Sequence, residues 1–179
     1  MILTLTELKT WVKTQNTGLT DTQLEAKLRA VELLIRRYTH NNFQNRNVRF
    51  VCSCSGTTLN GTSAYLKVGD TIEVSETGVS DGLYVITAMN VVNGTITVDR
   101  AMFAVDNALI TKVEYPSEVK MGVINLLKWE VTGRDKTGIQ SETISRHSVT
   151  YFNQTTDQTT AGYPASLMEF LRLYKRARF

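Results

Sequence analysis

Apolar residues recur at three- and four-residue spacing in four parts of the chain, which is the pattern of helices that bury one face. The first predicted helix covers Leu5 to Lys13, and the second starts behind Thr20. Two more follow later, one opened by Pro116 and one near the C-terminal end. The apolar positions of these last three helices are Leu24, Leu28, Val31, Leu34, Ile35 and Tyr38; then Val119, Val123, Ile124, Leu127 and Val131; and finally Leu167, Phe170, Leu171 and Tyr174.

The start of the second helix carries a specific local signal. Thr20-Asp-Thr-Gln23 has the form of a capping box, in which a hydroxyl and an amide side chain each satisfy a backbone N–H of the other residue. Asn41 and Asn42 are expected to end this helix.

From Arg49 onward the apolar period changes to two, which predicts strands. The turns between them contain Asn60-Gly61, Asp81-Gly82 and Asn93-Gly94, and these dipeptides favour tight hairpins because they tolerate positive φ. Six short strands are predicted, over Phe50–Cys54, Ala64–Val68, Thr71–Val74, Leu83–Thr87, Thr95–Val98 and Leu109–Val113. Such strands predict a small antiparallel barrel or sandwich.

The order of these elements predicts an α+β fold with two parts. Residues 1–48 and 115–179 would form a small helical bundle with a C-terminal hairpin and arm. Residues 49–114 would form a β module inserted between the second and third helices. No internal repeat is visible along the chain.

Charge separates the same two parts. The stretch from Phe50 to Tyr115 holds three basic and seven acidic residues, a net charge of −4 in a chain of +3, so the remainder carries +7. The N-terminal sequence lacks the basic and apolar regions of a signal peptide, and no apolar run is long enough to span a membrane. We therefore expect a cytosolic product with reduced thiols and no membrane partner.

Residues that could perform catalysis or bind a metal are few and scattered. His40 follows a helix, where it suits the negative end of the helix dipole, and His147 lies in a predicted strand. Cys52 and Cys54 share one face of a strand without further zinc ligands nearby, which favours core packing. No phosphate-binding loop is present. We expect no catalytic site, no metal and no cofactor, and hence not an enzyme.

The C-terminus combines basic and aromatic residues, in the order Tyr174-Lys-Arg-Ala-Arg-Phe179. A solvated helix end and a nucleic-acid contact are two interpretations, because Lys and Arg favour both a helix C-terminus and phosphates. A third is a protein-docking arm in which the aromatic residues anchor and the arginines pair with carboxylates. Interleaved aromatic and basic residues at a chain end favour the docking arm over nucleic acid.

Three segments together resemble a known family. The run Ile139-Gln-Ser-Glu-Thr-Ile-Ser-Arg-His-Ser-Val-Thr-Tyr151, then Gly162-Tyr163-Pro164, then the basic-aromatic terminus, is similar to the head–tail connector (adaptor) proteins of long-tailed bacteriophages. The second helix adds to the resemblance, which covers the helical parts but not the β module. The family fold it implies is a small helical bundle with a protruding hairpin and a C-terminal arm.

The resemblance also implies partners and sites. Family members form a ring, commonly twelvefold, beneath the portal protein, and they contact double-stranded DNA transiently and without specificity. A stopper or tail-completion protein would bind the other side of the ring, so the protein would lie in the virion neck after synthesis in the bacterial cytoplasm. The portal-docking arm would comprise Leu171, Tyr174, Lys175, Arg176, Arg178 and Phe179. Subunit or lumen contacts would come from Ile139, Ser141, Ile144, Arg146, His147, Val149 and Tyr151.

Two other functions stay open on the sequence alone. The chain could be a stopper or tail-completion protein, which also forms rings at the neck. It could instead be a binding module whose β insert recognises a ligand such as a glycan, although the few aromatic residues of the insert have strand positions suited to a core. If the chain forms a ring, an acidic lumen lined by Asp70, Glu73, Glu76 and Asp81 would keep DNA from adhering.

Overall fold

The computed structural model describes residues 1–12, 18–132, 141–144, 147–150 and 159–177, without the side chains of residues 132 and 141–150. The chain forms two compact units. The β unit contains Met1–Thr4 and His40–Tyr115, and the helical unit contains Leu5–Thr39 and Pro116–Phe179. A mixed α+β fold, as the sequence predicts, is therefore confirmed.

Four strands form the β unit. They are β1 (Gln44–Asn60), β2 (Thr71–Ser75), β3 (Gly82–Asn90) and β4 (Thr95–Val113). Together they make one antiparallel sheet in the order β1-β4-β2-β3, with an additional pairing of β3 with β4. Over residues 44–113, all of which the structure describes, this sheet is not closed, so the predicted barrel or sandwich is not confirmed.

The strands are fewer and longer than the sequence predicts. The last two predicted strands are the two ends of β4, which is 19 residues long. Residues 64–68, predicted as a strand, lie in turns instead, and β1 continues to Asn60. The core between these strands is fully buried at Leu59, Ile72, Val74, Ile96 and Ile110.

One of the predicted tight turns is confirmed. Asn93-Gly94 lies in a four-residue turn that joins β3 to β4, with Asn90 paired to Thr95 and Gly94 at φ +63°. At Asn60-Gly61 no hairpin forms among the described residues, because β1 pairs with β4 and not with β2. Asp81-Gly82 does lie in a hairpin, but six residues separate β2 from β3.

The helical unit contains α1 (Leu5–Trp11), α2 (Asp21–Thr39), α3 (Ser117–Thr132) and α4 (Ala165–Met168). A 3-10 helix, Glu169–Tyr174, continues α4. Each lies where the apolar spacing predicts a helix, although the predicted end of the first helix, Lys13, is outside the described residues. Met168 and Leu171 are the buried residues of the last segment, whereas Leu167 and Phe170 are partly exposed. The tighter 3-10 repeat of three residues per turn explains this difference from the predicted stripe.

The predicted capping box at the start of α2 is confirmed. Gln23 N–H donates to Thr20 Oγ1 at 3.3 Å, and Thr20 N–H donates to Gln23 Oε1 at 2.8 Å. Both N–H groups would otherwise lack a partner within the helix, so the two side chains define where α2 begins.

An ion pair joins α2 to α3 across 103 residues of sequence. Lys27 Nζ lies 2.8 Å from Glu130 Oε1, and the Glu130 side chain is only 4% exposed. A buried carboxylate needs a compensating charge, and Lys27 supplies one here.

Two short hairpins complete the helical unit. In the first, β5 (Ser141–Ile144) pairs antiparallel with β6 (His147–Thr150). In the second, β7 (Thr159–Thr160) pairs with β8 (Tyr163–Pro164) through Ala161 and Gly162, both at positive φ. Two consecutive residues with positive φ make the tight turn that suits a two-residue hairpin.

Candidate protein interface at the C-terminus

The C-terminal segment runs antiparallel to α3 and packs against it at matched intervals. The Tyr163 ring packs against Trp129 at an interplanar angle of 57°, with ring centroids 5.6 Å apart. Seven residues further along the segment, the Phe170 ring covers Gly122, which is seven residues earlier in α3. Met168 is buried between these points, and Leu171 is buried just after Phe170. The segment is therefore held in place before its basic residues begin.

Tyr174, one of the predicted arm residues, continues this contact. Its hydroxyl donates a 2.8 Å hydrogen bond to Glu118 Oε2, in the first turn of α3. This hydrogen bond, together with burial and the negative charge of Glu118, raises the pKa of Tyr174 above its ordinary value. The phenol thus fixes the end of the 3-10 helix to α3.

The next two residues bind the C-terminal end of α2. Lys175 Nζ lies 4.0 Å from the centroid of the Tyr38 ring, a cation–π contact. Arg176 N–H donates to the carbonyl of Thr39, the last residue of α2, at 2.8 Å. A helix leaves its last carbonyls without partners, so Arg176 satisfies one of them through its backbone alone. The guanidinium takes no part in this bond, and Arg176 is an exposed residue.

These contacts divide the six predicted arm residues into two groups. Leu171 has no accessible surface, and Tyr174 is hydrogen-bonded within the unit, so both position the arm. Lys175 and Arg176 are exposed, and they start the basic part of the arm. Arg178 and Phe179 lie outside the described residues. Of the six predicted arm residues, Lys175 and Arg176 are therefore the described ones whose exposure suits contact with a partner.

The second predicted set falls on the β5–β6 hairpin. Ile144 pairs with His147, Val149 with Glu142, and Ser141 with Thr150. The run that the sequence marks as one strand or a hairpin is thus a hairpin in the structure. Ile139, Arg146 and Tyr151 lie outside the described residues.

Sequence reasoning missed the residues that hold the arm, namely Tyr38, Thr39 and Glu118. They come from α2 and α3, far from the C-terminus in sequence. A weak signal was present, since Tyr38 and Thr39 end a long helix and a polar residue at such a place often has a structural partner. Nothing local linked them to Tyr174 or Arg176.

His40 and the two cysteines show no catalytic arrangement among the described side chains, which do not include that of His147. His40 is exposed with φ +49°, one residue past α2, which is the left-handed position where helices commonly end. Cys52 and Cys54 are unbridged and buried in the core of the β unit, as the core-packing interpretation expects. No group of three or more His, Cys, Asp or Glu within the described ranges could hold a metal ion.

Cys52 leads to a testable expectation. Burial, and then the neighbouring Cys54 thiol, raise the pKa of Cys52 from its ordinary 9.0 to about 11. Thiolate is the reactive form, so near pH 8 a shift of this size reduces it about a hundredfold. A Cys54→Ala variant leaves one thiol and keeps the larger cause, burial. In this variant a disulfide reagent should react with Cys52 much more slowly in native protein than in denaturant. Equal rates in the two states would contradict the burial of this thiol.

The same pKa has a consequence for stability. Because the folded state holds the Cys52 proton more tightly, the stabilisation is complete below pH 9 and is lost as the pH rises through about 11. The free energy of unfolding should therefore fall over this window, and the fall should be smaller in a Cys52→Ala variant.

Three of the four carboxylates predicted to line a lumen have structural partners. Asp70 pairs with Lys112 at 3.0 Å, and Glu73 accepts from Gln44 at 3.0 Å. Asp81 accepts from the hydroxyl and backbone N–H of Thr77, which lowers the pKa of its carboxyl. Replacing all four would therefore disturb the fold as well as the charge.

No helix within the described residues is long and apolar enough to cross a membrane. No family model matches the chain, and no curated protein matches it at a significant level.

Proposed function

We propose that this chain is a structural subunit of the bacteriophage neck, forming a ring beneath the portal that joins capsid to tail and leaves a passage for DNA. The run Ile139 to Tyr151, the Gly-Tyr-Pro at 162–164 and the basic terminus support this proposal. It places the protein in the virion, with the portal on one side and a stopper or tail-completion protein on the other. DNA would touch the ring only transiently.

The observation that carries the proposal is the way the C-terminal segment is anchored. Tyr174, Lys175 and the backbone of Arg176 are fixed to the ends of α3 and α2, and Lys175 and Arg176 are exposed basic residues. A short arm on a fixed base loses little conformational entropy when it binds. Its arginines suit carboxylates on a protein surface, and Phe179 supplies an aromatic anchor.

Native mass measurement, alone and with portal rings from the same source, tests the assembly. A cyclic oligomer of the chain, alone or on the portal, is expected. A single copy that ignores the portal would contradict the proposal and favour one of the two other functions left open by the sequence.

Shortening the arm tests its role in portal binding. A chain that ends at Ala177 lacks Arg178 and Phe179 but keeps the contacts of residues 174–176. We expect portal affinity to fall at least tenfold, or about 1.4 kcal/mol, with an unchanged melting temperature. Ending the chain at Leu171 would also remove the bonds to Glu118 and Thr39, so that truncation would confuse binding with folding.

A matched control keeps the comparison specific. Arg172 is exposed and pairs with Glu169 at 3.4 Å within the 3-10 helix, so Arg172→Ala removes a basic charge just before the basic part of the arm, which starts at Lys175. We expect Arg172→Ala to bind portal nearly as well as the native chain. If it weakens binding as much as the loss of Arg178 and Phe179, general positive charge rather than the arm governs the contact.

A further inference from the structure

The β unit exposes an apolar patch that the proposed portal arm does not use. Val79, in the β2–β3 connection, is 73% exposed, and Phe103, in the middle of β4, is 70% exposed. Phe103 N–H donates to Ser80 Oγ at 3.0 Å, which joins the two segments. Large apolar side chains exposed together in this way mark interaction surfaces.

Hydrogen bonds fix the loop that carries Val79. Asp81 Oδ1 accepts from Thr77 N–H at 2.8 Å and from Thr77 Oγ1 at 2.6 Å. Ser80 N–H donates back to Thr77 Oγ1, and the Tyr84 hydroxyl donates to the Ser80 carbonyl at 2.7 Å. The loop is thus already ordered, so little conformational entropy is lost when a partner binds it.

Acidic residues lie close in sequence to this patch. Glu76, Asp81 and Asp106 are exposed, and all three lie in the loop or near Phe103 in β4. The basic residue in these segments, Arg100, is engaged within the unit, donating to the Leu83 carbonyl at 2.6 Å and lying 4.4 Å from the Tyr84 ring centroid. A partner must therefore present apolar groups flanked by positive charge.

The solvent face of α2 has that character. Leu33 is 51% exposed, and Arg29 and Arg37 lie one turn before and after it on the same face. Ala26 and Ala30 continue the exposed stripe toward the start of the helix. The outer face of a helix is normally polar, so an alanine and a leucine between two arginines, with a further alanine before them, are unexpected on a face that only meets water.

We propose that the acidic patch around Val79 and Phe103 docks on the α2 stripe of a second copy of this chain. Apolar groups meet at the centre, and carboxylates of one copy face arginines of the next. The two surfaces differ, so the contact is head-to-tail, and repeated head-to-tail contacts close into a ring when the rotation per copy permits. The inference rests on the ring in the proposed function, for which it names the subunit contact.

Charge reversal tests this contact. Variant one is Glu76→Lys/Asp106→Lys, which spares the structural Asp81, and variant two is Arg29→Glu/Arg37→Glu. The exposed Lys67→Glu serves as control outside both surfaces. Native mass and sedimentation are measured alone and with portal rings, after thermal unfolding has shown each variant to be folded. Each charge-reversed variant should associate at least tenfold more weakly than the native chain, and Lys67→Glu should match the native chain.

Mixing the two variants gives the decisive readout. Each then offers the other a surface of opposite charge, so an equimolar mixture should associate like the native chain. If the native chain assembles but the reversals change nothing, or weaken assembly without rescue by mixing, the inference is wrong while the ring stands. A native chain that remains a single copy, alone and with portal, overturns both the inference and the ring.

Discussion

Replacing Lys27 by methionine should lower the free energy of unfolding by about 3 kcal/mol. This is the largest loss that we expect from replacing one partly exposed side chain. Lys27 Nζ lies 2.8 Å from Glu130 Oε1, and the Glu130 side chain is 4% exposed, whereas that of Lys27 is 33% exposed. Removing the ammonium leaves a carboxylate buried between α2 and α3 without this compensating charge. Water can solvate the lysine in part but hardly reaches the glutamate. The lost free energy of unfolding therefore comes mainly from the buried Glu130 carboxylate. Urea unfolding of both proteins measures it.

A second ion pair in the same unit provides the control. Lys9 Nζ lies 2.7 Å from Asp21 Oδ1, but these side chains are 42% and 62% exposed. Exposed pairs contribute only about 0–1 kcal/mol, so Lys9→Met should leave the urea midpoint nearly unchanged. The double variant Lys27→Met/Glu130→Met should recover most of the lost stability because the Glu130 carboxylate is no longer buried there. Equal losses in Lys9→Met and Lys27→Met would contradict the role assigned to burial.

Helices were predictable here because their signals are local. The capping box at Thr20 and Gln23 needs only a four-residue window, and the stripe of α2 needs five turns of one helix. Neither depends on what the helix packs against. Lys27 shows the limit of such local signals. Its partner Glu130 is 103 residues away, and nothing in the sequence of either segment indicates that the two residues pair.

The strands were less predictable because irregular pairing hides their period. Gly56 of β1 pairs with Met102 of β4, and Thr58 pairs with Thr97. A step of two residues along β1 therefore corresponds to a step of five residues along β4. Extra residues of this kind bulge out of the ladder and break the alternation of buried and exposed positions. Asp99 and Arg100 lie in this stretch and turn to β3, where they bond Val85 N–H and the Leu83 carbonyl. The apolar residues of β4 alternate with a period of two at each end of the strand but not in the middle. The sequence therefore suggests two short strands instead of one long one.

The candidate interface was predictable in its composition but not in its geometry. Basic and aromatic residues at the C-terminus are visible in the sequence, and Lys175 and Arg176 are indeed exposed. The anchoring of the arm depends on Tyr38, Thr39 and Glu118, which only tertiary packing brings to it. Leu171 illustrates the consequence, because an apolar residue in a predicted arm is here a core residue.

Gly122→Ala should destabilise the helical unit even though alanine is the better helix former. A methyl group at this position in α3 would overlap the Phe170 ring. Overpacking of this kind costs about 1–3 kcal/mol, and the backbone entropy gained on replacing glycine returns about 1 kcal/mol. The ring must therefore move, and subtracting the second value from the first gives an expected net loss of up to about 2 kcal/mol. Urea unfolding measures the loss, and proteolysis of the C-terminal segment reports its release.

Two further variants separate the overlap from helix propensity. Asn125→Ala, at an exposed position of the same helix, changes propensity without touching the segment and should slightly raise stability. Phe170→Leu removes the ring, so adding Gly122→Ala to it should cost less than in the native chain, which a double-mutant cycle resolves. The arm begins just beyond this contact, so Gly122→Ala should also weaken portal binding under the proposed function. If Gly122→Ala stabilises the chain as Asn125→Ala does, the Phe170 ring does not rest on Gly122, and the antiparallel packing that positions the arm must be abandoned.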